Sequence, residues 1–152
     1  MKLAAIVLSL FSSALLTGNE LAIALFIHPV LYSVPEDAHV RVVQPLAGRL
    51  GRYMPSWYAI SLLLAILQLL AARSAPLPWL LCGAAVILLA LTIVLTIFLP
   101  VPINNRIARW NVDRLPSDWL NMRRRWDFYH RVRVFLLFVV LVLLILSALL
   151  SR

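Results

Sequence analysis

The sequence predicts an all-α fold, a bundle of four transmembrane helices, and two observations favour it. Hydrophobic residues make up 63% of the 152 residues and charged residues only 13%, whereas soluble domains carry about 25% charged residues. Four apolar runs also come close to the roughly 20 helical residues that cross about 30 Å of hydrocarbon. Because such a chain cannot bury its apolar surface in one small core, we expect lipid to be its solvent.

The four runs are expected to form one domain that covers residues 1–152. The first run follows Lys2, as in a signal peptide, but it continues beyond Glu20 and is longer than the usual apolar part of such peptides. We therefore expect it to be a mature helix. A short connection joins the second and third runs, which predicts an antiparallel hairpin. The predicted spans are approximately 3–27, 57–72, 79–99 and 134–150.

The two longer connections carry most of the polar residues. The first contains Ser33-Val34-Pro35-Glu36, a helix-capping pattern, and apolar residues then recur at every fourth position from Ala38 to Leu50. This pattern predicts an amphipathic helix at the membrane interface, with a break at Pro45. The second has no proline or glycine from Ser117 onward. It therefore predicts a long fourth helix that extends out of the membrane.

The positive residues are distributed unequally between the two sides of the predicted bundle. The formal net charge is +8, and eleven arginines lie in the first and third connections. Lys2, Arg73 and Arg152 are the positive residues of the other side. The arginines flank apolar runs, which argues against nucleic acid as a partner. The distribution instead places the long connections in the cytoplasm and both termini outside a plasma or inner membrane.

Glu20 is the most informative polar residue because it lies within the first predicted span. An ionised carboxylate at such depth costs at least ~2.5 kcal/mol unless it faces protein or water. Ser9, Ser13 and Thr17 share its helical stripe, so we expect this stripe to face the bundle interior. Hydrogen bonding between helices would explain the stripe structurally. A functional carboxylate is the interpretation that we favour.

The helix that enters the fourth span carries Trp126, His130 and Arg133 at intervals of three or four residues. They present an aromatic wall, a titratable ring and a fixed cation on one face, and this face could meet Glu20. An interfacial belt is the alternative, and we favour it for Trp119 and Tyr129. In the same helix, Asp127 can pair with Arg123 or Arg131 at a spacing of four residues.

The remaining polar residues give weaker indications. Asn104 and Asn105 follow the prolines that end the third span, where they could cap a helix or bind a ligand. Asn104 could instead form a hydrogen bond with Glu20 or with a substrate oxygen. His28, Glu20 and His130 could in principle bind a metal. The sequence contains no recognised metal-binding motif, however, and we predict no metal site. His39 is expected to be solvated. Cys82, within an apolar run, is expected to be a small packing residue.

Several of these motifs together resemble the anthrone-oxygenase-like family of integral membrane proteins, many of which form a domain of unknown function in bacteria. They are Gly18-x-Glu20, His28-Pro29 and Met54-Pro55, followed by Pro102-x-Asn104, Trp110, Arg125-Trp126, His130 and Arg133. The resemblance covers nearly the whole chain. It implies a four-helix membrane bundle and an oxygenase, since some fungal members oxidise anthrones to anthraquinones with dioxygen.

By this analogy, Glu20 and His130 are the catalytic candidates. Either could be the base that removes a proton from the substrate, and the resulting carbanion would then react with dioxygen. Substrate-binding candidates are His28, Asn104, Asn105, Trp110, Arg125, Trp126 and Arg133. The expected function is oxidation of a lipophilic anthrone- or quinol-like substrate near the cytoplasmic face, by a cofactor-independent or metal-dependent route. The sequence does not identify a cofactor, and it is compatible with a homo-oligomer. The alternative is a non-catalytic small transporter or an accessory subunit of a membrane complex.

Overall fold

The structure, a computed structural model, describes residues 2–112 and 114–151. Arg152, one of the three positive residues expected on the side of the termini, lies outside them. The described residues contain four helical stretches that are long and apolar enough to cross a membrane. The predicted four-helix bundle is therefore confirmed, and the chain is a multi-pass membrane protein. The stretches are Lys2–Tyr32, Glu36–Ala71, Pro76–Ile107 and Trp119–Leu150.

The first stretch consists of three consecutive helical segments. They are α1 (Lys2–Ala22), one π-helical turn (Ile23–Ile27) and α2 (His28–Tyr32). The His28 N–H bonds to the carbonyl of Ile23, five residues back. Proline lacks an N–H group and crowds the preceding helical turn, and the wider π-turn lies in the turn that precedes Pro29. The helix consequently extends past the end predicted at residue 27.

The second stretch is the single helix α3 (Glu36–Ala71), which contains both Pro45 and Pro55. The break expected at Pro45 is wrong, because the helix before it runs directly into the second membrane span. Its buried face also differs from the predicted stripe. His39, Val40 and Val43 are buried, whereas Val42 is exposed.

The third stretch divides at its prolines into α4 (Pro76–Phe98) and α5 (Pro100–Ile107), and the fourth is α6 (Trp119–Leu150). Only residues 72–75 separate α3 from α4, and the two helices pack together as the predicted hairpin. The contacts form a ring in chain order, which α1 closes by packing against α6. The single helix α6 confirms the prediction that the fourth span extends beyond its apolar part.

Small residues allow the helices to approach closely in the apolar core. Ala65 of α3 and Cys82 and Ala85 of α4 are fully buried, together with Leu89 and Leu144. The Cys82 thiol lies 3.6 Å from the Ala65 carbonyl, so this residue packs as predicted. Large apolar side chains point outward on every span. This inside-out distribution is expected when lipid surrounds a bundle, because helix contacts there depend on packing of small residues.

Candidate functional site

Glu20 lies inside the bundle with both carboxylate oxygens engaged. It is only 1% exposed, and charged side chains are rarely buried to this extent unless they are paired. Tyr58 of α3 donates a hydrogen bond to Oε1 at 2.9 Å, and Arg133 of α6 donates from Nη2 to Oε2 at 2.6 Å. The stripe of Ser9, Ser13 and Thr17 is buried with it, as predicted. The carboxylate therefore joins three helices around one buried ion pair.

His130 is fully buried beside this ion pair, and its contacts assign its tautomer. Nε2 lies 3.1 Å from the backbone carbonyl of Glu20, and a carbonyl can only accept, so Nε2 carries the proton. Nδ1 lies 2.8 Å from Nη2 of Arg133, a permanent donor. Nδ1 also lies 3.2 Å from Oε2 of Glu20. These two atoms are both acceptors, and both accept from Nη2 of Arg133. Nδ1 is therefore an unprotonated ring nitrogen next to the carboxylate.

A second buried cluster surrounds Asp127. Tyr32 donates a hydrogen bond to Oδ2. Arg123 Nη2 lies 3.2 Å and His28 Nδ1 3.3 Å from Oδ1. Neither contact at Oδ1 has the alignment of a hydrogen bond, so that oxygen is held by charge alone. The cluster repeats the composition of the first, with one tyrosine, one carboxylate, one arginine and one histidine.

Three aromatic rings connect the two clusters. The Trp126 ring stacks on His130 with centroids 5.0 Å apart, and the His28 ring lies 4.9 Å from His130 and 5.1 Å from Trp126. The Arg123 guanidinium lies 4.6 Å from the centroid of the Trp126 ring, at cation–π distance. Two carboxylates and two guanidiniums thus form one buried site with balanced charge.

The π-helical turn explains how His28 reaches this site. On a regular α-helix, Glu20 and His28 would lie about 80° apart around the axis. A π-turn takes up roughly one additional residue and so turns the later part of the helix back by about 100°. Both side chains are consequently buried on the face that meets α6. Such turns occur frequently at functional sites.

The sequence model of one protein family, described as anthrone oxygenase, matches residues 46–143, more than half of the chain. The chain belongs to the anthrone oxygenase family. This confirms the family that the sequence motifs resemble, and the motifs at residues 18–29 lie outside the matched range. Searches of curated proteins and of solved structures found no match.

The part that matches the anthrone oxygenase family contributes α6 and most of α3 to the site. It includes Tyr58, Trp126, Asp127, His130 and Arg133, as well as the Met54-Pro55 and Pro102-x-Asn104 motifs. The α1–α2 residues of the site precede the matched range; these are Glu20, His28 and Tyr32. The contacts of each buried carboxylate therefore cross the boundary of the match.

Four of the predicted site residues lie away from Glu20 and His130 in the structure. Asn105 and Arg125 are exposed, and Arg125 donates to the Tyr129 hydroxyl at 2.9 Å. Trp110 is half-buried and packs edge to face with Trp119. Asn104 is half-buried in α5, and its Oδ1 has no partner. The hydrogen bond suggested between Asn104 and Glu20 does not form among the described residues.

His39 and Trp119 correct two further predictions. His39 was expected to be solvated but is 2% exposed, and its Nδ1 donates to the Leu31 carbonyl at 2.6 Å. Trp119, expected in an interfacial belt, is buried against His39 and Trp110. Gln44, not predicted at all, donates to the carbonyls of Ile107 and Trp110, both at 2.9 Å. These contacts pack the first part of α3 against the connection between α5 and α6.

Tyr58, Tyr32, Arg123 and Asp127 belong to the site although none was a site candidate. A signal for Tyr58 was present, since Tyr58, Ser61, Ala65 and Gln68 recur at helical spacing and are all buried. Asp127 was expected to pair with Arg123 or Arg131, and the structure selects Arg123. Tyr32 lies beyond the predicted end of the first span, and nothing in the sequence marks it.

Several polar atoms of this region are buried without a hydrogen-bond partner. They include Arg133 Nε, Arg123 Nε, Trp126 Nε1 and Asp127 Oδ1. Buried polar groups are normally paired with protein or water. Among residues 2–112 and 114–151, no group of three His, Cys, Asp or Glu side chains could hold a metal ion. The site thus offers donors and a proton acceptor to a ligand or to water.

Proposed function

We propose that this membrane protein is an oxygenase that acts on a lipophilic aromatic substrate of anthrone or quinol type. The observation that carries the proposal is the position of Arg133. Its Nη2 contacts both the Glu20 carboxylate and the unprotonated Nδ1 of His130. Its side chain is 13% exposed, whereas Glu20 is 1% exposed, so it extends from the buried pair toward the surface of the bundle. Family membership supports the same reaction class.

The proposed chemistry uses the electrons of the substrate itself. A base removes a proton from the CH₂ carbon of an anthrone, and the charge of the resulting carbanion spreads onto the ketone oxygen. Dioxygen adds to that carbon to form a peroxide, which loses one water molecule. One oxygen atom enters the quinone and the other leaves in water. The four electrons lost by carbon thus reduce one dioxygen molecule completely.

Each residue has a role in this proposal. Glu20 or His130 takes the proton, as both lie at the same Arg133 nitrogen. Arg133 stabilises the negative oxygen, where a permanent cation in a water-poor site is most effective. When the Arg133 guanidinium shares its positive charge with the substrate oxygen, its hydrogen bonds to Glu20 Oε2 and His130 Nδ1 weaken, and both groups become better proton acceptors. Trp126 holds the His130 ring in place by stacking.

We also propose a location for the site within the cell. The arginine-rich connections would lie in the cytoplasm and both termini outside a plasma or inner membrane. The site would then lie near the cytoplasmic face, and the substrate would enter from the bilayer. The lipid-facing surface of all four spans supports an apolar substrate.

The test uses purified protein in lipid nanodiscs near neutral pH. Oxygen uptake and quinone absorbance are followed with a panel of anthrones and quinols, and empty nanodiscs supply the rate of spontaneous oxidation. Wild-type protein is expected to consume one O₂ for each anthraquinone formed. Glu20→Gln and His130→Ala are each expected to lower the rate about 10²-fold or more.

Glu36→Gln is the matched control because Glu36 is an exposed carboxylate at the start of α3, outside the buried clusters. It is expected to leave turnover unchanged. Far-UV circular dichroism identifies variants that remain folded, and only these are compared. A wild-type rate equal to that of empty nanodiscs, or wild-type turnover in both folded site variants, would overturn the proposal.

A further inference from the structure

We propose that the cleft between α4 and α6 is a binding site for a planar aryl ketone, whose oxygen accepts a hydrogen bond from Arg133. The cleft encloses about 30 Å³ and is lined by the C-terminal part of α4 and by residues 129–136 of α6. The choice of ligand class rests on the proposed function. The existence of a lipid-side site next to Arg133 rests on the structure alone.

Arg133 is the charged group that lines this cleft. Nη2 is occupied by Glu20 and His130, but the buried Nε–H has no partner. Leaving such a donor unpaired is unfavourable, and more so when the group is charged. A ligand with one acceptor oxygen in the cleft would satisfy it. The same guanidinium would then contact both the ligand oxygen and the proton acceptors.

The rest of the cleft is suited to hydrocarbon. The hydroxyls of Thr92 and Thr96 donate to carbonyls of their own helix at 2.7 and 2.8 Å, so they need no partner from a ligand. Leu136 and Leu99 add apolar surface. Tyr129 also lines the cleft, and its hydroxyl accepts a hydrogen bond from Arg125 Nε at 2.9 Å. Arg133 is therefore the one charged contact that can orient a ligand in the cleft.

The cleft opens on the side of the bundle that faces lipid. Leu95 and Val132 line it and are 44% and 39% exposed on the outer surface of their helices. A lipophilic molecule dissolved in the bilayer can thus reach the cleft without crossing water. Its volume of about 30 Å³ has room only for water-sized molecules, so α4 and α6 must separate for a ring system to enter. Leu99, where α4 ends before Pro100, lies in the wall, so the wall there is not a continuous helix.

The experiment measures binding without turnover. Benzophenone is a diaryl ketone without an oxidisable CH₂ group, and it inserts into nearby C–H bonds under near-ultraviolet light. Wild-type protein in nanodiscs is labelled with it, and the adducts are mapped by peptide mass spectrometry. The adducts are expected in residues 92–99 and 129–136. Excess 9,10-anthraquinone should protect these residues at least about tenfold better than anthracene, which has the same rings but no oxygen.

Variants separate the two parts of the proposal. Arg133→Gln should remove the preference for anthraquinone over anthracene. Thr96→Trp should fill the cleft and suppress labelling there. Leu91→Trp is the matched control, because Leu91 lies exposed on α4 and does not line the cleft; it should label as the wild type does.

Adducts spread over the lipid-facing surface, or protection by anthracene equal to that by anthraquinone, would overturn this inference. The wild-type map decides this even if a variant fails to fold. Protected cleft adducts in a protein without oxygen uptake would uphold the binding site and reject the oxygenase. Oxygen uptake without cleft adducts would reject the site and leave the oxygenase standing.

Discussion

Arg133 Nη2 lies 2.6 Å from Glu20 Oε2, although 113 positions separate the two residues in the chain. The contact joins α1 to α6 at the point where the helical bundle closes. A charged side chain inside a membrane bundle is tolerated when it is paired, and here each of the two residues supplies the charge that the other needs. The pair is therefore both a structural contact and the centre of the proposed site.

Glu20→Gln is expected to destabilise the protein strongly. The variant leaves the Arg133 guanidinium without its anion in a mostly buried position. Breaking a buried pair by removing one partner costs about 3–5 kcal/mol. Thermal unfolding in detergent, followed by circular dichroism, measures the effect. Glu36→Gln, the exposed counterpart, should change the midpoint little.

A double-mutant cycle tests whether the cost belongs to the pair. Arg133→Gln alone should also destabilise, because it leaves Glu20 charged and buried. The double variant Glu20→Gln/Arg133→Gln should lose less than the sum of the two single variants, since it contains no unpaired charge. Additive losses would show that the two side chains do not depend on each other.

The sequence predicted the two faces that form this pair but not their surroundings. Glu20 and the α6 face of His130 and Arg133 follow from regular α-helical spacing, and the structure brings them together. The position of His28 did not follow, because the π-turn at Ile23–Ile27 changes the helical register and has no sequence signature that periodicity reveals. Tyr58 belongs to a helix far along the chain, and only tertiary packing places its hydroxyl beside Glu20.

Tyr58→Phe is expected to destabilise the protein moderately. It removes the hydroxyl that donates to Glu20 Oε1 and keeps the ring and the ion pair. A hydrogen bond to a charged group contributes about 1.5–3 kcal/mol. Tyr53→Phe is the matched control, because Tyr53 is 67% exposed on the same helix. Equal unfolding midpoints for the two variants would contradict a role for the Tyr58 hydroxyl.

Asp127→Asn is expected to disrupt the second cluster. Arg123 is 3% exposed and would lose its anionic partner, so we expect a loss of about 3–5 kcal/mol. Tyr32→Phe should cost less, because it removes a hydrogen bond and leaves the charges paired. The exposed Asp118→Asn serves as the control, since the Asp118 side chain makes no capping bond. Thermal unfolding of the three variants should rank Asp127→Asn lowest.

Pro45 shows how tertiary contacts can override local preference. Proline disfavours a helix interior, which is why a break was predicted there. The structure keeps α3 continuous across Pro45, and the His39 and Gln44 contacts pack this part of the helix against its neighbours. A helix that is packed against its neighbours can tolerate the loss of one backbone hydrogen bond at an exposed position.

Pro45→Ala is consequently expected to stabilise the protein. Alanine restores the backbone hydrogen bond and removes the crowding of the proline ring, for a gain of up to about 3 kcal/mol. The side chain at this position is exposed, so no packing is lost. A raised unfolding midpoint is the expected result. A lowered midpoint would show that the fold needs the proline at this position.

The orientation of the bundle can be tested with two cysteines introduced at exposed serines. Ser74→Cys lies between α3 and α4, and Ser117→Cys lies between α5 and α6. Cys82 is fully buried, so it should contribute little background. In intact cells, a membrane-impermeant maleimide should label Ser74→Cys, whereas Ser117→Cys should react only after the membrane is permeabilised. The reverse pattern would place the arginine-rich connections outside. The proposed cytoplasmic position of the Glu20–Arg133 site would then be wrong, because this site lies at the same end of the bundle as those connections.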